Sequence, residues 1–509
     1  MTPLDPIGLQ VLTGRLKSIC DEMGAVLIRA AHSPNIKERR DCSTALFDSG
    51  GELVMQAEHI PVHLGSMPDA VAAVLDEEHR PGRSWILNHP FAGGTHLPDI
   101  TLITPVIAAD GRLVGFAASR AHHADVGGPT PGSMPADSRT LADEGVVIEP
   151  RPLERPDDLE ELIAQMRDPR QRRADLRAQL AASEIGTARL LELLKGPGDG
   201  AALLAGMSEI LDYAERRTRA RLAELPDGTW DATDVLEGGA AGNEDIRLAV
   251  RATIAGEELE LDFSGSAPQV AGNLNCPLPV TRSAALFAVR ALLDPDAPAS
   301  AGAHRPVRVV APEGTILNAS PPAAVAAGNV ETSSRVADLV LGALGEVAAG
   351  PAQGQGTMNN VTLANDRFTY YETTGGGQGA CADADGPDAV HVAMSNTLNT
   401  PVEALETELP LRVRELSVRR GSGGAGRPRG GDGVVRELEA LEPMRFTLLT
   451  ERRRHPPRGR AGGADGAAGR NLLNGDELPP KAAGDLRPGD RLRIETPGGG
   501  GHGAENGSD

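Results

Sequence analysis

The residues of this sequence that carry the clearest chemistry lie at the two ends of one segment, residues 93–128. His-x-x-Asp occupies residues 96–99 and His-His-x-Asp occupies residues 122–125, so three of the chain's twelve histidines lie here close to aspartates. Imidazoles and carboxylates are the common protein ligands of zinc and other divalent metals. If the fold brings the two ends together, the pattern predicts a metal site.

The stretch between these ends is predicted to fold back on itself as a β-hairpin. Residues 100–107 and 112–119 are apolar and rich in strand-forming side chains, which favours two strands. Asp110 and Gly111 tolerate a positive φ, as a tight hairpin turn requires. Pro105 cannot donate to a strand ladder, so we expect a bulge or an edge strand near it.

A hairpin centred on that turn brings the two His-Asp pairs together. Asp99 then lies opposite His122, and His96 lies near Asp125. Directly opposed residues on antiparallel strands have Cβ atoms roughly 5 Å apart, so two imidazoles and two carboxylates converge. The alternative interpretation is a solvated strand end on which the aspartates act as caps.

The composition of the chain argues against some classes of function. The chain has 509 residues and a net charge of −21, with 61 glycines and 39 prolines. The length predicts two or three domains, and the acidic balance argues against binding to nucleic acid, which needs a basic surface. The four cysteines are scattered without a Cys-x-x-Cys spacing, which argues against a disulfide framework or a thiolate zinc site.

The sequence carries no sign of a secreted or membrane protein. Its first residues, MTPLDPIGLQ, lack the basic and apolar regions of a signal peptide. No stretch stays apolar for about 18 residues, the length that a membrane-spanning helix needs. We therefore expect a soluble cytoplasmic protein that does not contact a membrane.

The periodicity of the apolar residues predicts an α+β fold with β-rich mixed and antiparallel sheets. An amphipathic N-terminal helix is expected at residues 7–31, and a helical segment is expected near residues 156–225. We divide the chain into an N-terminal metal-site portion, a helical segment, a central β-rich portion and a C-terminal β unit, at residues 1–150, 151–225, 226–415 and 416–509.

The glycine-rich stretches do not match a nucleotide-binding fingerprint. The chain has no G-x-x-x-x-G-K-[ST] phosphate loop, and the glycine run at residues 498–501 opens no helix. The run TTGGGQGA at residues 373–380 favours either a close backbone approach to a ligand or a tight turn. In GNVETS at residues 328–333, a Ser or Thr is interpreted as the N-cap of the helix that follows.

Several motifs, in order along the chain, resemble those of the hydantoinase B/5-oxoprolinase family. They are IKERRDCSTALFD, HIPVHLGSMP, GGTHLPDI, RAHHADVGG, GNVETSSR, NTLNTPVEALE and the ending LRPGDRLRIETPGGGG. The resemblance covers the chain from Asp5 to Gly503. This family includes the B subunits of ATP-dependent N-methylhydantoinases, the matching half of 5-oxoprolinase, and subunits of acetone and acetophenone carboxylases.

The resemblance implies a partner protein. In this family an A-type protein or domain with an actin-like fold uses ATP to phosphorylate a carbonyl or amide oxygen, and the B part completes the chemistry. We therefore expect a hydantoinase A-type ATPase partner in a heterotetramer or larger assembly, and a small-molecule substrate. ATP would be used by the partner, in agreement with the missing phosphate loop.

The resemblance also implies one divalent metal, zinc or manganese. Carried over by motif, its ligands are Asp41, His96, Asp99 and His122. His122 is preferred to His123 because many relatives carry an aromatic residue at the second position of this pair. Relatives usually have Asp where this chain has His89, a departure that bears on metal affinity or choice.

Two further groups near these motifs have chemistry that a hydrolase needs. His59 and His63 are candidates for a general base or for orienting the substrate, with a structural role as the alternative for each. The basic residues before the first predicted hairpin are candidates for holding phosphate beside Asp41, with a local ion pair as the alternative. These basic residues are Lys37, Arg39 and Arg40.

Three functions agree with these features. The first is hydrolysis of a partner-phosphorylated hydantoin, 5-oxoproline or similar lactam by a metal-dependent subunit. The second is a subunit of a ketone carboxylase of the acetone or acetophenone type, and the third is a non-catalytic scaffold for the ATPase. The length of 509 residues favours the hydrolase, because the carboxylase relatives tend to have longer chains and a third small subunit.

Overall fold

The computed structural model describes residues 5–58, 60–63, 65–195, 200–238, 242 and 244–504. Its α-helices are α1 (Pro6–Ala30), α2 (Pro34–Lys37), α3 (Met67–Ala72), α4 (Pro156–Ile163), α5 (Pro169–Leu194), α6 (Ala201–Ala223), α7 (Leu278–Leu293), α8 (Ser333–Leu344) and α9 (Val402–Glu408). Its strands are β1 (Cys42–Asp48), β2 (Leu53–Glu58), β3 (Trp85–Leu87), β4 (Asp99–Ile107), β5 (Leu113–His122), β6 (Arg151–Pro152), β7 (Gly228–Leu236), β8 (Ile246–Ala255), β9 (Glu258–Asp262), β10 (Val307–Val310), β11 (Asn360–Asn365), β12 (Phe368–Glu372), β13 (Leu411–Arg419), β14 (Gly433–Ala440), β15 (Met444–Leu449), β16 (Arg470–Leu473), β17 (Asp476–Leu478), β18 (Lys481–Leu486) and β19 (Arg491–Glu495).

The described strands form four sheets, which confirms the α+β prediction. Their orders are β2-β1-β5-β4-β3-β6, β10-β9-β8-β7, β12-β11-β15-β18 and β13-β14-β19-β16-β17. The pair β9 and β10 is parallel, whereas the first sheet is antiparallel throughout its described pairs. Helix α1 is the predicted N-terminal helix, and α4, α5 and α6 fill the predicted helical segment.

Helices from two of the predicted portions pack on one face of the first sheet. Leu190 of α5 and Met207 of α6 share a core with Leu16 of α1 and Leu46 of β1. The boundaries near residues 150, 225 and 415 stay a prediction. None of the helices in the described ranges combines the length and the apolar character that crossing a membrane would take.

The start and end of α1 are fixed by carboxylates. Asp5 accepts a hydrogen bond of 2.6 Å from Gly8 N, and a proline follows the cap at the first helical position, where its missing N–H costs nothing. Beyond the end of the helix, Asp175 of α5 accepts hydrogen bonds from the backbone N–H groups of His32 and Ser33 at 2.8 and 3.0 Å. This contact fixes the chain direction towards α2 and the start of β1.

The hairpin of β4 and β5 forms in the predicted register. Gly111 has a φ of +85°, and Asp110 Oδ1 accepts a hydrogen bond of 3.0 Å from the backbone N–H of Arg112. The strands then pair so that Asp99 lies opposite His122. The turn chemistry and the alternation of side chains therefore set the register that the sequence predicts.

Pro105 lies beside the expected bulge, and β4 is an inner strand of the sheet instead of the edge strand expected as the alternative. The strand pair has a bulge between Val106 and Ile107, one residue beyond the proline. On the other side of β4, the short strand β3 pairs only as far as Ile103. Pro105 therefore has a strand neighbour on one side only, which is where a proline is tolerated within a sheet.

Glycine-rich segments of the C-terminal half pack directly against one another. Gly377 N donates to Pro497 O at 3.0 Å, and Gly499 N donates to Gly431 O at 2.9 Å. A Cβ atom added at Gly499 would lie 2.0 Å from Gln378 O, so only glycine fits there. The approach predicted for TTGGGQGA was to a ligand, and the close approach observed here is to other backbone segments. The tight turn expected as the alternative is not what these glycines form.

Candidate metal centre

Three neighbouring strands bring three of the predicted metal ligands to one end of the first sheet. Asp99 starts β4 and pairs with His122 at the end of β5. On the other side of β5, Cys42 of β1 pairs with Ala121, and Asp41 O accepts a hydrogen bond of 3.0 Å from His122 N. Asp41, His122 and Asp99 therefore form a row across β1, β5 and β4.

The carboxylate of Asp99 lies among three imidazoles. Asp99 Oδ2 is 3.1 Å from His96 Nδ1 and 3.4 Å from His63 Nε2, and Asp99 Oδ1 is 3.3 Å from His122 Nδ1. Thr95 Oγ1 donates a hydrogen bond of 2.6 Å to Asp99 Oδ2. The His-x-x-Asp spacing works because the chain turns there, with Asp99 N donating to His96 O at 3.0 Å.

Burial and the neighbouring charged groups together set the protonation states of this cluster. Asp99 and His96 are each 1% exposed and His122 is 3% exposed, so the interpretation as a solvated strand end is wrong. Burial favours a raised pKa for Asp99, but the surrounding imidazoles, His96 first, hold that pKa well below its usual range. Burial lowers the pKa of His122, and Asp99 opposes this only in part. An ionised carboxylate beside a neutral imidazole is the protonation state that a bound metal requires.

Asp41 lies beside the tightest group of ligand atoms. Within the described ranges, the atoms of His96, Asp99 and His122 that can bind a metal lie within 4.8 Å of one another, and Asp41 is outside that limit. Asp41 nevertheless lines the same cavity and is buried, with Arg39 Nη2 3.7 Å from its Oδ2. It brings a second carboxylate to the wall of the site.

The donor set fits a divalent cation. Both ring nitrogens of His96 and the Nε2 atoms of His122 and His63 are buried without a hydrogen-bond partner among the described residues. Buried polar atoms without a partner are rare in folded proteins and require an explanation. Imidazole nitrogens beside an anionic carboxylate are ligands that zinc and manganese take, so these residues fit either ion.

The cavity at the cluster is small. Its volume is about 20 Å³, and a single water needs roughly 10–15 Å³, so it accommodates one ion or one water. Met358 and Met394 form part of its wall, together with residues of the segment 394–397. A ring-shaped substrate would therefore require this wall to move, and methionine side chains repack easily.

His63 belongs to the site, whereas His59 lies outside the described residues. His63 ends a short 3-10 helix (Pro61–His63), and its Nδ1 lies 2.9 Å from Ser43 Oγ of β1. This contact orients the ring so that Nε2 faces Asp99. Ser43 thus holds the imidazole of His63 beside the imidazoles of His96 and His122.

Arg39 does not line the cavity but contacts three residues that do, Asp41, Tyr371 and Thr373. It donates to Tyr371 O at 3.0 Å and to Thr373 Oγ1 at 3.1 Å, and its guanidinium lies 4.9 Å from the centroid of the Tyr371 ring. The Tyr371 ring in turn stacks on His122. The local ion pair with Asp41, given above as the alternative to phosphate binding, is present for this arginine.

Lys37 and Arg40 point away from the cavity lining. Both are exposed, and neither is among the residues that line the cavity. Arg40 has a φ of +57°, so the chain reverses there before it enters β1. A role for Lys37 and Arg40 in holding phosphate stays a prediction.

The second half of the His-His-x-Asp motif serves another purpose. Contrary to the prediction that it lies near His96, Asp125 accepts hydrogen bonds from Gly127 N at 2.9 Å and Gly132 N at 2.7 Å and forms an ion pair with Arg167 at 3.1 Å. These contacts hold the loop that follows β5.

His123, the second histidine of the motif, turns to Gln179, with 2.9 Å between Nε2 and Oε1. The choice of His122 over His123 therefore agrees with the geometry.

Tyr371 and Asn329 are among the residues of the cavity wall that were not predicted as site residues. Tyr371 lies at the end of β12, in a different sheet from His122. No local sequence pattern indicates that these two residues meet. Asn329 lies in a π-helix (Gly328–Thr332) that leads into α8. The prediction of a Ser or Thr N-cap in this stretch is wrong, because α8 has no side-chain cap hydrogen bond. The polar run GNVET was the available signal.

Comparison with known proteins places this architecture in a family. The family model described as Hydantoinase B/oxoprolinase matches residues 5–505. A 5-oxoprolinase of Dictyostelium discoideum is 39% identical over 99% of this chain, which corresponds to 41% of that protein. The B-type subunit of a putative D-/L-hydantoinase from Pseudomonas sp. strain NS671 is 30% identical over 98% of this chain and 90% of that protein.

A solved structure has the same fold. The crystal structure of the ATP-dependent caprolactamase from Pseudomonas jessenii superposes with a TM-score of 0.92 at 29% identity, covering 99% of this chain and 92% of that one. The chain spans less than half the length of the 5-oxoprolinase that it matches. Because the family model covers nearly the whole chain, and relatives at 30% identity or more match along its length, this chain belongs to the hydantoinase B/oxoprolinase family.

Proposed function

We propose that this chain is the metal-dependent subunit of an ATP-dependent cyclic amidohydrolase. Its substrate would be a hydantoin, 5-oxoproline or a similar lactam that a partner has phosphorylated. The observation that carries the proposal is the buried set of His96, Asp99 and His122, in which several ring nitrogens have no hydrogen-bond partner in the part of the chain that the structure describes. The names of the relatives, 5-oxoprolinase and caprolactamase, support a cyclic amide as the substrate class.

An ATPase partner is part of this proposal. The sequence has no phosphate loop of its own. One relative is named as a B-type hydantoinase subunit, and the 5-oxoprolinase relative carries more than half of its length outside the matched part. We therefore propose a hydantoinase A-type ATPase, in a heterotetramer or larger assembly, as the source of the phosphorylated substrate.

The chemistry explains why two proteins would divide the work. Resonance makes an amide carbon a poor electrophile, and transfer of a phosphoryl group to the amide oxygen gives an imidate-like carbon with a good leaving group. Addition of water to that carbon and cleavage of the C–N bond open the ring and leave an acyl phosphate, which a second water hydrolyses to the carboxylate and inorganic phosphate. A divalent cation held by Asp41, His96, Asp99 and His122 would supply Lewis acidity and lower the pKa of water.

The remaining residues of the site have positioning and proton-transfer roles in this proposal. His63 has an Nε2 atom without a hydrogen-bond partner among the residues that the structure describes, and its Nδ1 atom is held by Ser43, so it is the candidate for moving a proton at the reacting water. Arg39 orients Asp41 through their ion pair. His59 remains a second candidate for the same task as His63.

The direct test is turnover by the reconstituted complex. The chain is co-expressed with an A-type ATPase and assayed with 5-oxoproline, hydantoins and lactams in the presence of ATP. We expect ring opening coupled to ADP formation for at least one of these substrates, and a loss of about 100-fold or more in Asp99→Asn, because the anionic centre of the cluster is removed.

Two results would contradict the proposal. Bicarbonate-dependent carboxylation of a ketone without any ring opening would replace the hydrolase by the carboxylase alternative. Ring opening that proceeds at the wild-type rate in Asp99→Asn would mean that this chain is a scaffold for chemistry located elsewhere.

A further inference from the structure

Asn329 is a buried amide with an unused acceptor at the wall of the cavity. It is 3% exposed, it lines the same cavity as His96 and His122, and its Oδ1 accepts no hydrogen bond from the described residues. Leaving a buried acceptor unpaired typically costs about 1–3 kcal/mol. A fold that keeps such a group beside a catalytic cluster implies a ligand that completes it.

The backbone holds Asn329 firmly in this place. The residue lies in the π-helix, a widened helical turn of a kind that is frequent at functional sites. The preceding Gly328 packs so closely that a Cβ atom there would lie 1.8 Å from Asn275 O. The backbone N–H of Gly328 donates to Asn273 O at 2.9 Å. These contacts fix the position of the backbone from which the Asn329 side chain extends.

Two other polar side chains on the same wall, Thr373 and Ser395, are already paired. Thr373 Oγ1 lies 2.5 Å from Thr397 Oγ1, and Ser395 Oγ lies 2.6 Å from His391 Nδ1. Asn329 therefore differs from these neighbours, since its carbonyl oxygen remains available. A primary amide also carries two N–H donors next to that oxygen.

The candidate substrates share a feature that matches a primary amide. A small ring forces its amide into the cis form, with C=O and N–H on the same edge, whereas an open-chain amide strongly prefers trans. One carboxamide side chain can therefore accept from the ring N–H and donate to the ring C=O at once. A ketone of the same shape has no N–H and leaves the acceptor unpaired.

We propose that Asn329 is the residue that recognises the ring nitrogen, with its Oδ1 accepting the N–H of a cyclic cis-amide. This proposal rests on the proposed function, because it assumes a cyclic amide in the same cavity. Transfer of the phosphoryl group to the amide oxygen first gives the imidate protonated on nitrogen, and this form keeps the N–H that Asn329 Oδ1 accepts. Asn329 is then a specificity residue for lactams and hydantoins over cyclic ketones. The amine that ring opening releases also carries hydrogens that the same oxygen can accept.

The test compares two rings that differ at one atom. Binding of 2-pyrrolidinone and of cyclopentanone, in which CH2 replaces N–H, is titrated on the full-length chain by ligand-observed NMR. The variants are Asn329→Ala, which removes both groups, and Asn329→Asp, which keeps an acceptor. Asn365→Ala, the same change at the partly exposed end of β11, is the matched control, and bound metal is measured for each protein.

We expect the wild-type chain to prefer the lactam by roughly tenfold, the effect of one hydrogen bond that would otherwise leave a buried group unpaired. The preference should disappear in Asn329→Ala and remain in Asn329→Asp and in the control, with metal content unchanged in all four proteins. Equal affinity of the wild type for the two rings, no binding of either ring, or a preference that survives in Asn329→Ala would overturn the role of Asn329.

The two proposals fail separately. Ring opening by the reconstituted complex together with a lactam preference that ignores Asn329 would overturn the role of Asn329 alone. An Asn329-dependent preference without any ATP-dependent ring opening would overturn the hydrolase and leave a cyclic-amide binding site.

Discussion

The ring of Tyr371 lies flat against the ring of His122, with 4.8 Å between the centroids and 13° between the planes. Its hydroxyl donates a hydrogen bond of 2.6 Å to Asn360 Oδ1. The C-terminal half of the chain therefore sets the orientation of a predicted metal ligand from the N-terminal half. Rotation of His122 about its side-chain bonds is blocked on the face that Tyr371 covers.

This stack predicts different effects for two changes at Tyr371. Tyr371→Phe keeps the ring and loses one hydrogen bond, so we expect full metal content and a loss of about 1 kcal/mol in stability. Tyr371→Ala removes the ring, and we expect metal affinity to fall roughly 10- to 100-fold, as for other residues that orient a ligand. Chelator competition measures the affinity. Equal affinity in both variants would mean that the stack does not orient His122.

His63 is predicted to act on the reaction and not on metal retention. In the complex with the ATPase, His63→Ala should lower kcat/KM by about 10²–10⁴-fold, the range for loss of a proton-transferring group. The metal content should stay at the wild-type level. Ser43→Ala removes only the group that holds His63 Nδ1, so it should give a smaller loss in the same direction.

Metal analysis of the same proteins separates the alternatives. Loss of the metal in His63→Ala would make His63 a ligand. Unchanged kcat/KM with the metal retained would leave His63 with a structural role only.

Glu331 makes stability depend on pH. Burial, and then the charge of Glu451, raise the pKa of Glu331 to about 8 from its ordinary value of 4.5. The folded state therefore binds a proton that the unfolded state releases above pH 4.5. The stabilisation from this group is complete below pH 4.5, declines as the pH rises, and is lost once the pH passes about 8.

Glu331→Gln removes this dependence because the amide stays neutral. Measured by thermal unfolding, its stability relative to wild type should rise from pH 5 to pH 8 by something on the order of 1–3 kcal/mol. Glu257→Gln on the surface controls for the loss of one acidic side chain. A stability difference that stays constant over this range would show that Glu331 is already ionised in the fold.

The packed glycine segments predict a large cost for a single methyl group. Gly499→Ala places a Cβ atom 2.0 Å from Gln378 O, so backbone must move, and we expect a destabilisation of about 3 kcal/mol or more. Gly14→Ala is the matched control, since nothing lies within 4 Å of its added methyl group in α1. It should stabilise the helix by about 0.5–1 kcal/mol. Calorimetry of both variants checks the sign of each effect.

The local part of the site could be predicted because short-range rules fix it. The turn at Asp110 and Gly111 sets the pairing of β4 with β5, and that pairing alone places Asp99 opposite His122. The approach of His96 follows from the three-residue turn before β4. The placement of Asp125 could not be predicted, because residues beyond the strand end follow their own loop contacts, here with Arg167.

The distant part of the site depends on tertiary packing. Tyr371 reaches His122 only because the sheet that contains β12 packs against the end of the first sheet, and nothing near either residue encodes that contact. Asn329 enters the cavity through a π-helical turn, which has no sequence signature of the strength of an Asp-Gly turn. Asp41 was predicted as a ligand from the motif resemblance, because the pairing of β4 with β5 does not determine where Asp41 lies.

The measurement that tests the central claim most directly is the metal content of the purified chain by elemental analysis. Wild type and His123→Ala should each hold about one divalent ion per chain, zinc or manganese, and His96→Ala should hold almost none, because His123 turns to Gln179 while His96 faces Asp99. Absence of metal from well-folded wild-type protein even after zinc or manganese is added, or equal metal in His96→Ala, would contradict the ligand assignment and with it the proposed chemistry.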